Sequence, residues 1–208
     1  PVAWLTNRFP RVAEKYGLPL HITPNNMIRD LNEDFFAACL SDLGTPDAPV
    51  VFTQGAFYRY SAETGIFEPI KGRKVETMIG EIMRDCANAC DNGVVNDVSP
   101  LRFKFTKKSV LSSIRHRAAA IAEQPDDYFE DTSEFIIFEN GVLELETEKL
   151  VDFSPKYRSR NRIPFPFDSK AKCDLFLNKL LGEALDEDQI ELLQKVSGLV
   201  LLGINKAE

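Results

Sequence analysis

Between positions 102 and 117 stand six basic residues, Arg102, Lys104, Lys107, Lys108, Arg115 and Arg117, with no acid among them. Side chains of that type and density can hold a polyanion, because the local field steers a charged partner more than the net charge does. A second basic stretch carries Lys156, Arg158, Arg160, Arg162, Lys170 and Lys172 around one acid, Asp168. Phe103, Phe105, His116, Phe165 and Phe167 are interleaved with these cations. Such a mixture lets bases stack while lysine and arginine hold phosphates, and Arg102, Lys104, Lys107, Lys108, Arg115, Arg117, Arg160 and Arg162 are the candidate nucleic-acid contacts. The competing reading is two ordinary solvated faces, with Phe103 and Phe105 as strand residues of a core.

Catalytic chemistry finds little support. The chain has no GxxxxGK[ST] phosphate loop, no GxGxxG after a strand, no GxSxG elbow and no HExxH pair. Metal-assisted phosphoryl chemistry needs clustered carboxylates. The acids between Asp126 and Asp152 instead alternate with apolar residues, as on solvated strand faces. Of the four cysteines, Cys39, Cys86, Cys90 and Cys173, two are four apart on an expected helix. They lack a CxxC or HxxxH partner and suit a reduced core. Neither a catalytic residue, a metal ligand nor a cofactor is therefore expected in the chain. An unrelated enzyme is a third alternative, which metal-dependent nucleotide turnover would revive.

The 208 residues are 44% hydrophobic and carry a net charge of −7. That suffices for one large core or two small ones and argues against disorder. Thiol usage points to a reducing, cytoplasmic compartment. No apolar run approaches the roughly 18 residues of a membrane span. The chain opens at Pro1 without methionine and stops just after an apolar stretch, so it is expected to be a piece of a longer polypeptide.

Proline-rich residues 1–24 suggest a linker or docked arm, residues 25–125 an α+β subdomain with the basic helix, and residues 126–208 a β-meander followed by helices. The spacing of Phe35, Phe36, Cys39, Leu40 and Leu43 predicts a helix capped by Asn32 and ended by 44–49. Gln54-Gly55 turns a hairpin, and Val75 to Cys90 make one apolar helical face stopped by Asp91-Asn92-Gly93. Thr106 is expected to cap the basic helix. Asn140-Gly141 is expected to supply both central residues of a hairpin turn. Ser169 is expected to cap the next helix, and Asp186 with Gln189 to form a capping box on the last. Ile190, Leu193, Val196, Leu199 and Val200 then form a face that must pack against something. The class is α+β.

Phe138-Glu-Asn-Gly-Val-Leu-Glu-Leu-Glu-Thr147, Phe153-Ser-Pro155, Arg162-Ile-Pro-Phe-Pro-Phe-Asp168, Ala171-Lys-Cys173 and residues 190–203 occur in one order. Together with the hairpin Phe57-Tyr-Arg-Tyr-Ser-Ala-Glu-Thr-Gly-Ile-Phe67, that series resembles the segment before the superfamily 3 helicase domain in phage, plasmid and poxvirus primase-helicases. Phe67 and Phe167 stand where that family often has tryptophan or tyrosine. The resemblance implies an ATP-driven, ring-forming DNA helicase with a primase upstream and a motor downstream. ATP and Mg would belong to that motor. The segment's implied role is connection, with single-stranded or forked DNA, the adjoining domains and a homo-oligomeric ring as expected partners. The alternative is a protein–protein scaffold that touches no nucleic acid.

Overall fold

A computed structural model describes residues 7–42, 48–91, 97–129 and 134–201. It is an α+β fold that divides into two compact units. One comprises Pro1–Tyr60 and Glu68–Asp126, the other Ser61–Phe67 and Asp127–Glu208.

The first unit is built around a helix that is buried almost all round. That helix, α2 (Glu33–Asp42), follows α1 (Pro10–Tyr16) and the antiparallel pair β1 (Leu20–Ile22) and β2 (Ile28–Leu31). Asn32 starts it as expected, its Oδ1 accepting the Phe35 amide at 3.2 Å. The Asn32 side-chain amide also donates to the carbonyls of Tyr16 and Leu18, which ties the preceding chain to the helix start. Phe35, Phe36, Ala37, Ala38, Cys39 and Leu40 are all buried. Phe9, Val12 and Leu20 join the same core.

After β3 (Val50–Thr53) and β4 (Ala56–Ser61), β5 (Ile66–Ile70) completes a sheet ordered β3-β4-β5. Gln54 and Gly55, with φ of 50° and 76°, make the two-residue turn between β3 and β4. Next comes α3 (Gly72–Asp91), which buries Val75, Ile79, Ile82, Met83, Cys86, Ala87 and Cys90 on one face. Burial of each large apolar side chain is worth about 1.5–3 kcal/mol. The buried thiols are core residues, and burial pushes Cys39 well above the ordinary thiol range. Then follow α4 (Ser99–Thr106) and α5 (Lys108–Ile121), the latter burying Ile114, Ala118 and Ala119.

Residues 99–106 are helical, so Phe103 is no core strand residue. It lies on a helix surface, 62% exposed. Pro100 in the first turn fits that start, because a helix needs no amide donor there. Thr106 ends this helix, and the position before α5 belongs to Lys107, without a side-chain cap. The side chain of Phe105, the stop at Asn92-Gly93, most of 44–49 and the residues after 201 lie outside the description.

The second unit has a three-stranded meander, β6 (Phe135–Phe138), β7 (Gly141–Glu144) and β8 (Lys149–Val151), antiparallel throughout. Phe138 pairs with Gly141, so the turn residues are Glu139 and Asn140, one position earlier than expected. The reason is long-range. Asn140, the second turn residue, exchanges two hydrogen bonds with the Phe167 backbone, at 3.0 and 2.8 Å, which anchor the turn in that position. A small core of Ile137, Val142 and Tyr157 packs with Ile66, Phe135, Val151 and Phe153.

Beyond it, residues 175–181 form a π-helical turn that begins after Asp174. Ser169 is no cap, and Asp168 instead accepts the Lys170 amide. The last helix, α6 (Glu187–Leu201), opens on the expected capping box. Asp186 Oδ1 accepts the Gln189 amide at 2.9 Å, and Gln189 Oε1 accepts the Asp186 amide at 3.1 Å. Among the described residues, no helix is long and apolar enough to cross a membrane.

Candidate nucleic-acid interface

The basic residues of the first unit are set by α4 and α5, and three of the six candidates, Lys104, Arg115 and Arg117, meet carboxylates from distant sequence. Arg117 donates from Nε to Glu33 at 3.1 Å and from a terminal nitrogen to Asp34 at 2.7 Å. Those acids occupy the first turn of α2, where the helix dipole favours them. Ser113 adds a 2.7 Å hydrogen bond to Glu33. Asp34 keeps the guanidinium of Arg117 charged above its usual range. Arg115 meets Glu76 at 3.2 Å, and Lys104 meets Asp30 at 2.6 Å. The Lys104 ammonium holds the Asp30 carboxyl below the ordinary range. Lys107 lies over the Phe103 ring at 4.3 Å, Lys108 is exposed beside it, and Arg102 is half-buried on α4. The predicted face is thus divided, with Arg115, Arg117 and Lys104 serving as clamps between helices and strands.

The second unit handles its cations differently. From 156 to 160 the chain alternates, with Tyr157 and Ser159 buried and Lys156, Arg158 and Arg160 exposed. Tyr157 donates to Glu144 at 2.6 Å, and that hydrogen bond holds the Glu144 carboxyl below its usual range. Lys156 shares the same oxygen at 3.4 Å. Ser159 is fixed by its side-chain bonds to Asn161, and its carbonyl accepts the Phe67 amide at 2.8 Å. This pinning leaves the two arginines standing on rings. Arg158 lies over Tyr128 at 4.8 Å and Arg160 over Phe129 at 5.0 Å, while the two rings are 5.0 Å apart. Phe67 completes the aromatic group, edge-on to Tyr128 at 5.9 Å and tilted to Phe129 at 5.3 Å.

Arg162 is half-buried, and Phe167 is packed against Phe138 at 5.2 Å. Phe165 is 68% exposed. An open groove of about 890 Å³ is lined by Glu134, Phe135, Glu144, Lys156, Tyr157 and Arg158, among others. Its charges have both signs, so the groove by itself does not select a polyanion.

Tyr128 and Phe129 were not singled out by sequence reasoning, and Arg158 was named only as part of a basic stretch. Their signal is faint: an aromatic pair inside an acidic block, and cations recurring every second residue. The apolar candidates are placed on α6, with Ile190 half-buried and Leu193, Val196, Leu199 and Val200 exposed. Among the described residues no group of three His, Cys, Asp or Glu side chains is arranged to hold a metal ion.

A family model described as D5 N terminal like matches residues 51–186, about two thirds of the chain. The match runs from the second residue of β3 to the capping residue of α6 and includes both ringed arginines. No curated protein matches the chain.

Proposed function

The chain belongs to the D5 N-terminal-like family, the N-terminal domain of D5-like primase-helicases of phages and poxviruses, and from that premise we propose that it is a non-catalytic connecting module of a replicative primase-helicase. In this reading it couples primase to helicase, contacts DNA and assists ring assembly. ATP and Mg serve the helicase part, and the whole works at a replication site in the host cytoplasm.

The observation that carries the reading is a finished helix with an unfinished face. A reciprocal capping box satisfies the start of α6, yet none of the helix's side chains is buried. An amphipathic helix of this length draws most of its stability from burying its apolar stripe. That stripe suits a following domain or a neighbouring subunit. The test is made in the longer primase-helicase, with Leu193→Glu and Val196→Glu together. We expect light scattering to report loss of the ring and ATP hydrolysis to fall with it. A ring of unchanged size would overturn the assembly role. The DNA contact predicts binding of the 208-residue chain to single-stranded or forked DNA that weakens steeply with salt, because each neutralised phosphate releases counterions. Salt-insensitive binding, or none, would overturn it.

A second reading, a scaffold without nucleic-acid affinity, is favoured by the ion pairs that occupy Lys104, Arg115 and Arg117 and by the net charge of −7. Concentration-dependent self-association without DNA affinity would decide for it.

A further inference from the structure

We infer that residues 156–165 form a binding strip for single-stranded DNA, in which Arg158 and Arg160 grip backbone phosphates and Phe165 stacks a base. The inference rests on the DNA-contact part of the proposed function, and names the surface and the form of DNA.

Two features of the arginines point to an anionic partner. Each guanidinium has an aromatic ring against it, Tyr128 for Arg158 and Phe129 for Arg160. A ring of that kind fixes the planar fork in one orientation by cation–π attraction, so less freedom is lost when the fork's edge meets a phosphate. Arg158 also has a left-handed backbone, φ 43° and ψ 41°. A non-glycine residue there is strained by about 1–3 kcal/mol, and such strain persists only where its surroundings enforce it. Here they do. The Arg158 amide is bound to the Pro155 carbonyl at 3.2 Å, and the buried neighbours Tyr157 and Ser159 are both hydrogen-bonded. Among the described residues, Arg158 forms no ion pair.

Phe165 supplies the preference for a single strand. It stands between Pro164 and Pro166 with its ring 68% exposed. The backbone around it is fixed to the meander: Ile163 donates to Ile137 at 2.8 Å, and the Phe165 carbonyl accepts from Glu139 at 3.1 Å. A large apolar side chain carried into water on a fixed backbone is a ready stacking platform. Only a base that has left its duplex offers a free face to it. Cations that follow one line of chain, with an exposed aromatic five residues after Arg160, match the single row of phosphates and bases of one strand.

The test uses a fluorescent single-stranded oligothymidylate and a duplex of equal length, with anisotropy read across salt concentrations. Arg158→Asn with Arg160→Gln is the pair to use, because asparagine tolerates the left-handed region at 158. We expect it to weaken single-strand binding tenfold or more and to lower the salt slope by about 1.4, two phosphates at about 0.7 each. Phe165→Ala is expected to weaken binding about tenfold with the slope unchanged, since stacking releases no counterion. Lys107→Ala with Lys108→Ala should change little. If that pair abolishes binding while the arginine pair leaves it intact, the strip is wrong and DNA contact survives. Equal affinity for duplex, with no effect of Phe165→Ala, would overturn the single-strand assignment. Wild-type chain without salt-sensitive binding would remove both the DNA reading and the strip. Circular dichroism melts of each variant separate loss of contact from loss of fold.

Discussion

Arg117 in the first unit and Arg158 in the second are both exposed arginines, and the chain uses them in opposite ways. Arg117 forks onto Glu33 and Asp34, some eighty residues earlier in sequence, and helps fasten α5 to α2. Arg158 rests on a tyrosine ring. The same contrast holds more widely. In the first unit a large core, with Phe35, Phe36, Ile79, Met83 and Ile114 fully buried, is laced at its rim by ion pairs. In the second a core of a few residues supports a display of cations and apolar side chains. A basic run in sequence is therefore a poor measure of a basic surface, because the carboxylates that neutralise it arrive from other elements.

The sharpest break of this comparison is in the first core. Phe36→Ala removes a fully buried ring, one of an edge-on pair with Phe35 at 5.6 Å, and should lower stability by about 3–5 kcal/mol in urea titration. A loss under 1 kcal/mol would mean that α2 is not the centre of its unit. In the second unit Gly65 has φ of 73°, and an added Cβ would lie 2.3 Å from the Phe153 ring. Gly65→Ala should cost about 1–3 kcal/mol, from displaced packing and a strained backbone. The smallest effect sharpens the contrast in cations. Arg117→Ala breaks a half-exposed fork and should cost about 0.5–1 kcal/mol. It should also change single-strand affinity less than twofold. A large loss of affinity would return the interface to α5.

Much of the fold was legible because it is local. Asn32 at the start of α2, Gln54-Gly55 in its turn, the one-sided apolar spacing of α3, and Asp186 with Gln189 all act within a few residues of themselves. What was misread came either from one local signal overriding another or from partners far away. Phe103-Lys104-Phe105 has the two-residue alternation of a strand, but Pro100 opens a helix there and Phe103 faces solvent under Lys107. Asn140 was expected to join Gly141 in a tight turn, yet its amide is engaged by Phe167. The candidate cations were legible as a list of charges only. Glu33, Asp34, Glu76 and Asp30, which meet three of them, and Tyr128 and Phe129, which support two others, carry no sign of these roles in their own neighbourhoods.

The left-handed backbone at position 158 has a consequence for how this protein can be improved. Glycine or asparagine would hold that bend with less strain, so a search for heat tolerance alone should find Arg158 replaced early and should score the change as a gain. Every such gain would blunt the strip. Thermostability and usefulness are thus opposed at this one residue, and a melting temperature that rises on its replacement marks the side chain as kept for something other than folding.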